Sequence, residues 1–451
     1  MSVKVGLGRA DLTPPLGTSL AGYFEDRHST GVHDPLLCKS LYLGADGGYL
    51  RVTACDLIAM DSPTVRSAEE QAGAAIGPEA QSLVCCTHTH LGPAVVSVFS
   101  PPRAQDYAAG LPQLVAQAMR AAASAPHEAE LAIGVSEAHG IAFNRRYHMR
   151  DGSVRMNPGT GNPDIVKPAG PIDPQVLVLV ARGASGRPRA LLVNFALHLD
   201  TIGGDVVSAD YPAFLAANVR EALGEDVETV FANGAFGDIN HINVSDRNQP
   251  RGFAMPEHIG RVLADAVLRA YESAQPVPKL AVRAARKVVP LPAREIREDM
   301  LEQGRLVQLV TDPNADPAER RQAAERLGTD APDIRARTYA KEWQLLAARN
   351  GRPFDADVRV ACLGPEVALV GLPSETFCEL GLAIKRNSPF AHTFVISLAN
   401  GYVGYVATAR GYAEGSYETT PARSSPVAPG CGEMMADAAV ALLDEVRAAL
   451  G

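Results

Sequence analysis

Two histidines stand one residue apart in Thr87-His88-Thr89-His90, directly after the apolar run Ser82-Leu83-Val84-Cys85-Cys86. A third, His198, closes a second apolar run in Asn194-Phe195-Ala196-Leu197-His198-Leu199-Asp200. A third run ends in Phe231-Ala232-Asn233-Gly234-Ala235-Phe236-Gly237-Asp238-Ile239-Asn240-His241. Neutral imidazole is a common metal ligand, and a catalytic zinc site combines nitrogen and carboxylate ligands with one open position. Residues i and i+2 of a strand point the same way. His88 and His90 are therefore expected to face one pocket, one holding metal while the other works on the substrate. An HxH pair alone is a weak signal, equally at home as polar residues at a strand end. His198, at the tip of another strand, strengthens it.

These tips need a scaffold that gathers them. The periodicity predicts strands at 3–8, 41–43, 49–54, 82–86, 130–135, 175–180, 190–196, 227–232, 280–289, 358–363, 367–371 and 393–398. Ala45-Asp46-Gly47-Gly48 reads as a turn between the second and third. Helices are predicted at 64–76, 106–123, 213–223, 256–274, 376–385 and 434–449. Strands and helices alternate, which predicts an α/β chain with central mixed sheets flanked by helices. Ligands in such folds sit beyond the carboxyl ends of the strands. Residues 294–350, rich in Arg, Glu, Ala and Gln, read as a helical insertion. A plain surface insertion is preferred over a lid or dimerisation arm. The polar, Gly/Pro-rich stretch 410–432 reads as an active-site loop. With no long linker and no fixed-period repeat, residues 1–451 are expected to form one catalytic domain.

Composition narrows the partners. The chain has 451 residues, 46% hydrophobic and 21% charged, with a formal net charge of −9 and no dense run of Lys and Arg. Nucleic acid, which needs a basic stripe, is not expected as a partner. No apolar stretch reaches the roughly 18 residues of a membrane span, so no stable membrane insertion is expected. The opening MSVKVGLGRADLTPP lacks a basic n-region followed by an apolar h-region, so no signal peptide is expected. Seven cysteines, scattered apart from the adjacent Cys85 and Cys86 and without a CxxC pair, fit mostly buried thiols in a reducing, cytoplasmic setting.

Rival metal hydrolases fit poorly. Metallo-β-lactamases need HxHxDH, and THTHLGP has no Asp-His after it. Barrel amidohydrolases follow HxH with a metal-bridging lysine, and no lysine stands in a fitting context. The chain instead resembles the catalytic domain of the neutral (alkaline, non-lysosomal) ceramidase family from residue 3 to about residue 420. The resemblance rests on Val5-Gly6-Leu7-Gly8-Arg9-Ala10-Asp11-Leu12-Thr13-Pro14, Gly31-Val32-His33-Asp34, Thr87-His88-Thr89-His90-Leu91-Gly92-Pro93, Asn144-Arg145, Gly371-Leu372-Pro373-Ser374-Glu375 and Leu398-Ala399-Asn400-Gly401-Tyr402-Val403-Gly404-Tyr405.

That resemblance implies one zinc per chain, held by His88, His198, Glu375 and Tyr405. Tyr405 is preferred to Tyr402 because it stands where the family's second tyrosine stands, with Tyr417 following as an active-site phenol. It further implies attack by metal-activated water on an amide carbonyl, Arg145 stabilising the oxyanion and His90 relaying a proton to the leaving nitrogen. Plainer readings stand beside these roles: Arg145-Arg146 as a solvated turn, Glu375 as a helix N-terminal charge, His241 as a loop histidine, and Asp200 as a loop cap rather than an orienting carboxylate for His198. The pattern departs from the family in Gly237-Asp238-Ile239-Asn240, where Asn240 replaces a serine, so a serine acyl-enzyme is excluded there while a hydrogen-bonding role survives. The family's usual signal peptide and C-terminal β-sandwich domain are not expected here, and a small soluble amide or acyl substrate is expected rather than ceramide. The expected function is zinc-dependent hydrolysis of a linear N-acyl bond. The alternative is an ester, lactone or cyclic-amide hydrolase on the same scaffold. A non-catalytic binding protein is disfavoured because all four ligand candidates are present. Self-association into a homo-oligomer is left open.

Overall fold

The computed structural model describes residues 3–45, 48–73, 81–99 and 103–451. The turn expected at Asp46-Gly47 lies outside the described residues, as do positions 74–76 of the helix expected at 64–76. That helix is described as Ser62–Ala72, with Asp61 capping its start and Gly73 in the left-handed conformation at its end.

A nine-stranded mixed sheet forms the centre. Along it the strands run Glu228–Asn233, Pro188–Phe195, Gln175–Gly183, His127–Glu137, Val3–Asp11, Leu37–Ala45, Gly48–Cys55 and Ser82–Cys86, with Gln275–Pro276 pairing off His127–Glu137. Most neighbours are antiparallel, but the outermost pair at each end is parallel. A second sheet of four strands runs Val282–Leu291, Phe354–Leu363, Val367–Gly371 and His392–Ile396.

The two sheets stack face to face between outer helices. Leu177, Leu179 and Ala181 join Leu41, Leu50, Leu83, Leu369, Phe394 and Ile396 in the core between the sheets. Val176, Val178 and Val180, on the opposite face of the same strand, pack under the helices Tyr211–Leu223 and Ala254–Glu272. Burial on both faces explains why such strands read as unbroken apolar runs rather than alternating ones. Helices Ser62–Ala72 and Gln105–Ser124 cover another part of the large sheet, and Cys378–Asn387 and Cys431–Ala448 cover the small one. Gly6 and Gly8 let helix Gln105–Ser124 lie directly on strand Val3–Asp11: a Cβ at either would sit within 2 Å of a helix carbonyl. All seven cysteines are buried thiols.

The stretch 294–350 contains three helices, Glu298–Thr311, Pro317–Leu327 and Ile334–Ala347. The expectation of a plain surface insertion holds for the middle helix, where only Ala323 is buried. It fails for the last one. Trp343 Nε1 donates to Pro421 O (3.1 Å), and buried Glu342 pairs with Arg423 (2.6 Å), so this helix is fastened to the loop 410–432. That loop carries a short helix, Ala409–Glu414, and the 3-10 turn Tyr417–Thr419. A three-stranded sheet of Arg146–Met149, Val154–Met156 and Ile165–Pro168 also forms, where no strand was predicted.

Candidate metal centre

The strand Ser82–Cys86 stops before the histidines, so strand alternation is not what aims them. His88 instead takes a positive φ of 88°. For a residue with a Cβ this is a strained conformation of the kind stored at functional sites. His88 Nδ1 lies 2.7 Å from Ile58 O. A carbonyl only accepts, so Nδ1 carries the proton and the Nε2 lone pair faces inward, the orientation of a metal-ready imidazole.

Asn233 ties the tips together. Its Nδ2 donates to Thr87 O (3.1 Å) and Leu197 O (2.9 Å), and its Oδ1 accepts from Leu197 N (3.3 Å). The residues before His88 and His198 thus hang on one amide at the end of strand Glu228–Asn233. The two-residue strand Glu375–Thr376 pairs in parallel with Tyr405–Val406, and the register puts Glu375 beside Tyr405. Glu375 therefore precedes helix Cys378–Asn387 without belonging to it, and its carboxylate turns to the histidines instead of capping the helix. Gly237 lets this strand approach: a Cβ there would lie 2.4 Å from Glu375 O.

Three contacts meet at His88 Nε2: His198 Nε2 at 3.2 Å, His90 Nε2 at 3.3 Å and Glu375 Oε2 at 3.2 Å. Two ligands about 2.0–2.1 Å from a tetrahedral zinc are separated by roughly 3.3 Å. The spacing suits a shared ion. The polar bookkeeping agrees: Glu375 Oε2 is buried without a hydrogen-bond partner, while Oε1 is occupied by Tyr402 Oη at 2.9 Å. The donor set of imidazole nitrogen and carboxylate oxygen is one that zinc favours. His88, His90 and His198 form a buried group whose nitrogens could hold a metal ion. Distance does not rank His90 against His198.

Protonation follows burial. Burial, with neighbouring positive groups, holds the His90 and His198 imidazoles well below their ordinary range, so both are neutral near pH 7. Burial alone would raise the Glu375 carboxyl, but His88 beside it and the Tyr405 hydroxyl hold it lower, as an anion. Burial and the Glu375 charge push the Tyr405 phenol well up.

Arg145 and Arg146 are both buried, which overturns the solvated-turn reading. Arg145 N donates to Asp238 O (2.8 Å), and Phe143–Asn144 pairs with Ile239–Asn240, so the Gly237-Asp238-Ile239-Asn240 segment places the arginine. Its Nε donates to Glu418 (2.7 Å), its Nη1 faces His198 Nδ1 (3.3 Å), and its Nη2 is buried and unpartnered. The guanidinium lies 5.3 Å over the Tyr405 ring, and Tyr417 stands edge-on to Tyr405.

A cavity of about 190 Å³ opens beside His90, Arg145, His198, Asn240, His241 and Tyr417. Asn240 is committed within the protein: Nδ2 donates to Asn157 Oδ1 (2.9 Å) and Oδ1 accepts from Ile242 N (3.1 Å). His241 presents a buried, unpartnered Nδ1. Asp200 does not orient His198. It accepts a hydrogen bond from Tyr23 Oη and lies 3.8 Å from His90 Nδ1. All eight candidates from the sequence (His88, His90, Arg145, His198, Asn240, Glu375, Tyr405 and Tyr417) thus border this cavity or the small apolar hollow next to it. Glu418, Tyr23, Asn157 and the orienting contact of Tyr402 were not anticipated. Of these, only Glu418, the acid directly after Tyr417 in the loop 410–432, had a signal in the sequence.

No family model matches the chain, and no curated protein matches it by sequence. Solved structures do match its fold. The neutral ceramidase from Pseudomonas aeruginosa superposes with a TM-score of 0.73 at 17% identity, covering 100% of this chain and 75% of that one. A ceramidase complexed with C2 superposes with a TM-score of 0.71 at 16% identity, covering 100% and 76%. The mixed central sheet flanked by helices is the fold of these proteins.

Proposed function

We propose that this chain is a zinc-dependent hydrolase of a linear N-acyl amide bond, acting on a small soluble substrate. The carrying observation is the unpartnered, buried Glu375 Oε2 facing His88 Nε2 at 3.2 Å, with two further imidazole nitrogens at 3.2–3.3 Å. An uncompensated buried carboxylate oxygen is costly unless a cation completes it. Amide chemistry is supported by the fold, which is that of proteins described as ceramidases.

In this reading His88, His198, Glu375 and Tyr405 hold one zinc ion. Bound there, zinc supplies water activation and polarisation of a carbonyl. Arg145 Nη2, free and fixed by the Glu418 pair, donates to the oxyanion that develops on the carbonyl oxygen. His90, neutral and next to the ligands, would accept a proton from the attacking water and deliver it to the leaving nitrogen. Tyr417 closes the cavity and hydrogen-bonds the substrate, while Asn240 holds the Asn157 wall in place. Asn240 has no nucleophilic hydroxyl, so water is the expected nucleophile.

Elemental analysis of the purified protein, followed by a panel of N-acyl amides, esters and lactones, tests the assignment. One zinc per chain and amide turnover are expected, both lost in His198→Ala. Protein without zinc, or a fully active His198→Ala variant, would sink it. Turnover of lactones or esters alone would replace the amide reading with the acyl-ester one.

A further inference from the structure

The cavity beside the metal centre is lined by a cation that no carboxylate among the described residues neutralises. Arg335, from helix Ile334–Ala347, lines it, with its guanidinium 5.8 Å over the Tyr417 ring. Among the described residues no carboxylate pairs with Arg335, whereas Arg297, Arg305 and Arg326 of the same helical stretch each pair with an acid. The rings of Phe24 and Tyr339 lie near it, both 5.9 Å from the guanidinium carbon. The guanidinium also hydrogen-bonds the Tyr339 hydroxyl, which leaves most of its five N–H donors for a ligand. The helix beneath Arg335 is fixed by the Glu342–Arg423 pair and by Trp343, so the cation is presented from a rigid base.

The rest of the cavity agrees in sign. Beside the exposed Arg335, Arg145 contributes a buried, unpartnered Nη2, and the Asn157 side-chain amide nitrogen makes no hydrogen bond among the described residues. The one acid in the wall among the described residues, Asp200, already accepts from Tyr23, whose ring carries Arg27 at 3.9 Å. Sharing His90 and Tyr417 with this cavity is the small hollow, about 30 Å³, whose apolar wall comprises Ile58, Ala59, Val96, Val98 and Phe99. A hollow this small suits a short acyl group rather than a long chain.

We infer that the site selects short N-acyl amides that carry a carboxylate on the amine side, and that Arg335 reads that carboxylate. The planar guanidinium fork matches a carboxylate in two parallel hydrogen bonds, and the short acyl end enters the apolar hollow. The choice of scissile bond rests on the amide-hydrolase reading. The anion preference rests on Arg335 and the cavity.

The test separates the two. Metal-free protein is titrated calorimetrically with N-acetyl-L-alanine and with N-acetyl-L-alaninamide, which differ only in the charged group. Wild type is expected to bind the acid at least about tenfold more tightly. Arg335→Gln is expected to erase that ratio, and Arg337→Gln, exposed on the same helix, to preserve it. Equal affinities in wild type, or an acid preference that survives Arg335→Gln, would overturn the inference. Zinc-loaded protein is then assayed for alanine release. An acid preference in binding with no amine released would remove the amide reading and leave the carboxylate site standing.

Discussion

At the residue scale the sharpest division is between His90 and the groups assigned to zinc. His90 Nε2 and His198 Nε2 lie at nearly equal distances from His88 Nε2, but His90 is the one beside Asp200. On the proposed roles, His90→Ala keeps its zinc and loses roughly 100- to 10,000-fold in kcat. Glu375→Gln, which swaps a charged ligand for a neutral one, loses zinc first. Metal content and turnover measured on both variants decide this, and a zinc-free His90→Ala protein would move His90 into the ligand set. Arg145→Lys keeps a positive charge near Glu418 but lacks the forked Nη2, so kcat is expected to fall roughly 100- to 1,000-fold with zinc retained. Wild-type turnover in that variant would remove Arg145 from oxyanion stabilisation. The histidines were legible in the sequence because imidazole at apolar run ends is unusual. Glu418 was barely so: it is separated from Arg145 by 273 residues, and its importance exists only once the loop 410–432 has folded back.

At the element scale the sequence captured the strands buried on both faces, because their apolar runs have no other use. Ser82–Cys86 and Val367–Gly371 begin and end where the pattern placed them. Pairing was not legible. Periodicity tells which face of a strand is apolar, not that 282–291 leaves the main sheet to found a second one. The reason both histidines of Thr-His-Thr-His face one pocket was likewise hidden, since it lies in the φ of His88 and not in strand alternation. Asn233 shows how the elements cooperate. It sits fully buried at a strand end and satisfies backbone groups of two other tips. Asn233→Ala leaves those groups unpaired, at a cost of roughly 3 kcal/mol. A lowered melting temperature together with weaker zinc retention is expected. An unchanged melting temperature would show that the histidine tips are held by other contacts.

At the scale of the whole molecule, acid-base linkage offers a test of how the fold buries charge away from the zinc ligands. Asp210 caps helix Tyr211–Leu223 and accepts from Thr201 N, Thr201 Oγ1 and Tyr211 N. A helix N-terminus and three donors favour the anion. Complete burial, helped by the nearby Asp200 charge, outweighs them and pushes the carboxyl up to about 7. The sign follows from comparing the two states. Between about pH 4 and 7 the folded chain keeps a proton that the unfolded chain has released. Stability from this group is therefore full below pH 4 and is lost as the pH rises to 7, at up to about 1.4 kcal/mol per unit. Asp56, also buried and raised to about 6, tilts the wild-type curve the same way, so the comparison has to be differential. Asp210→Asn removes one titration and leaves the other. The melting-temperature gap between wild type and Asp210→Asn should favour wild type most at pH 4.5 and narrow or reverse by pH 7.5. A gap independent of pH across that range would mean that the three hydrogen bonds hold Asp210 ionised throughout, and that the helix cap, not burial, governs this corner of the fold.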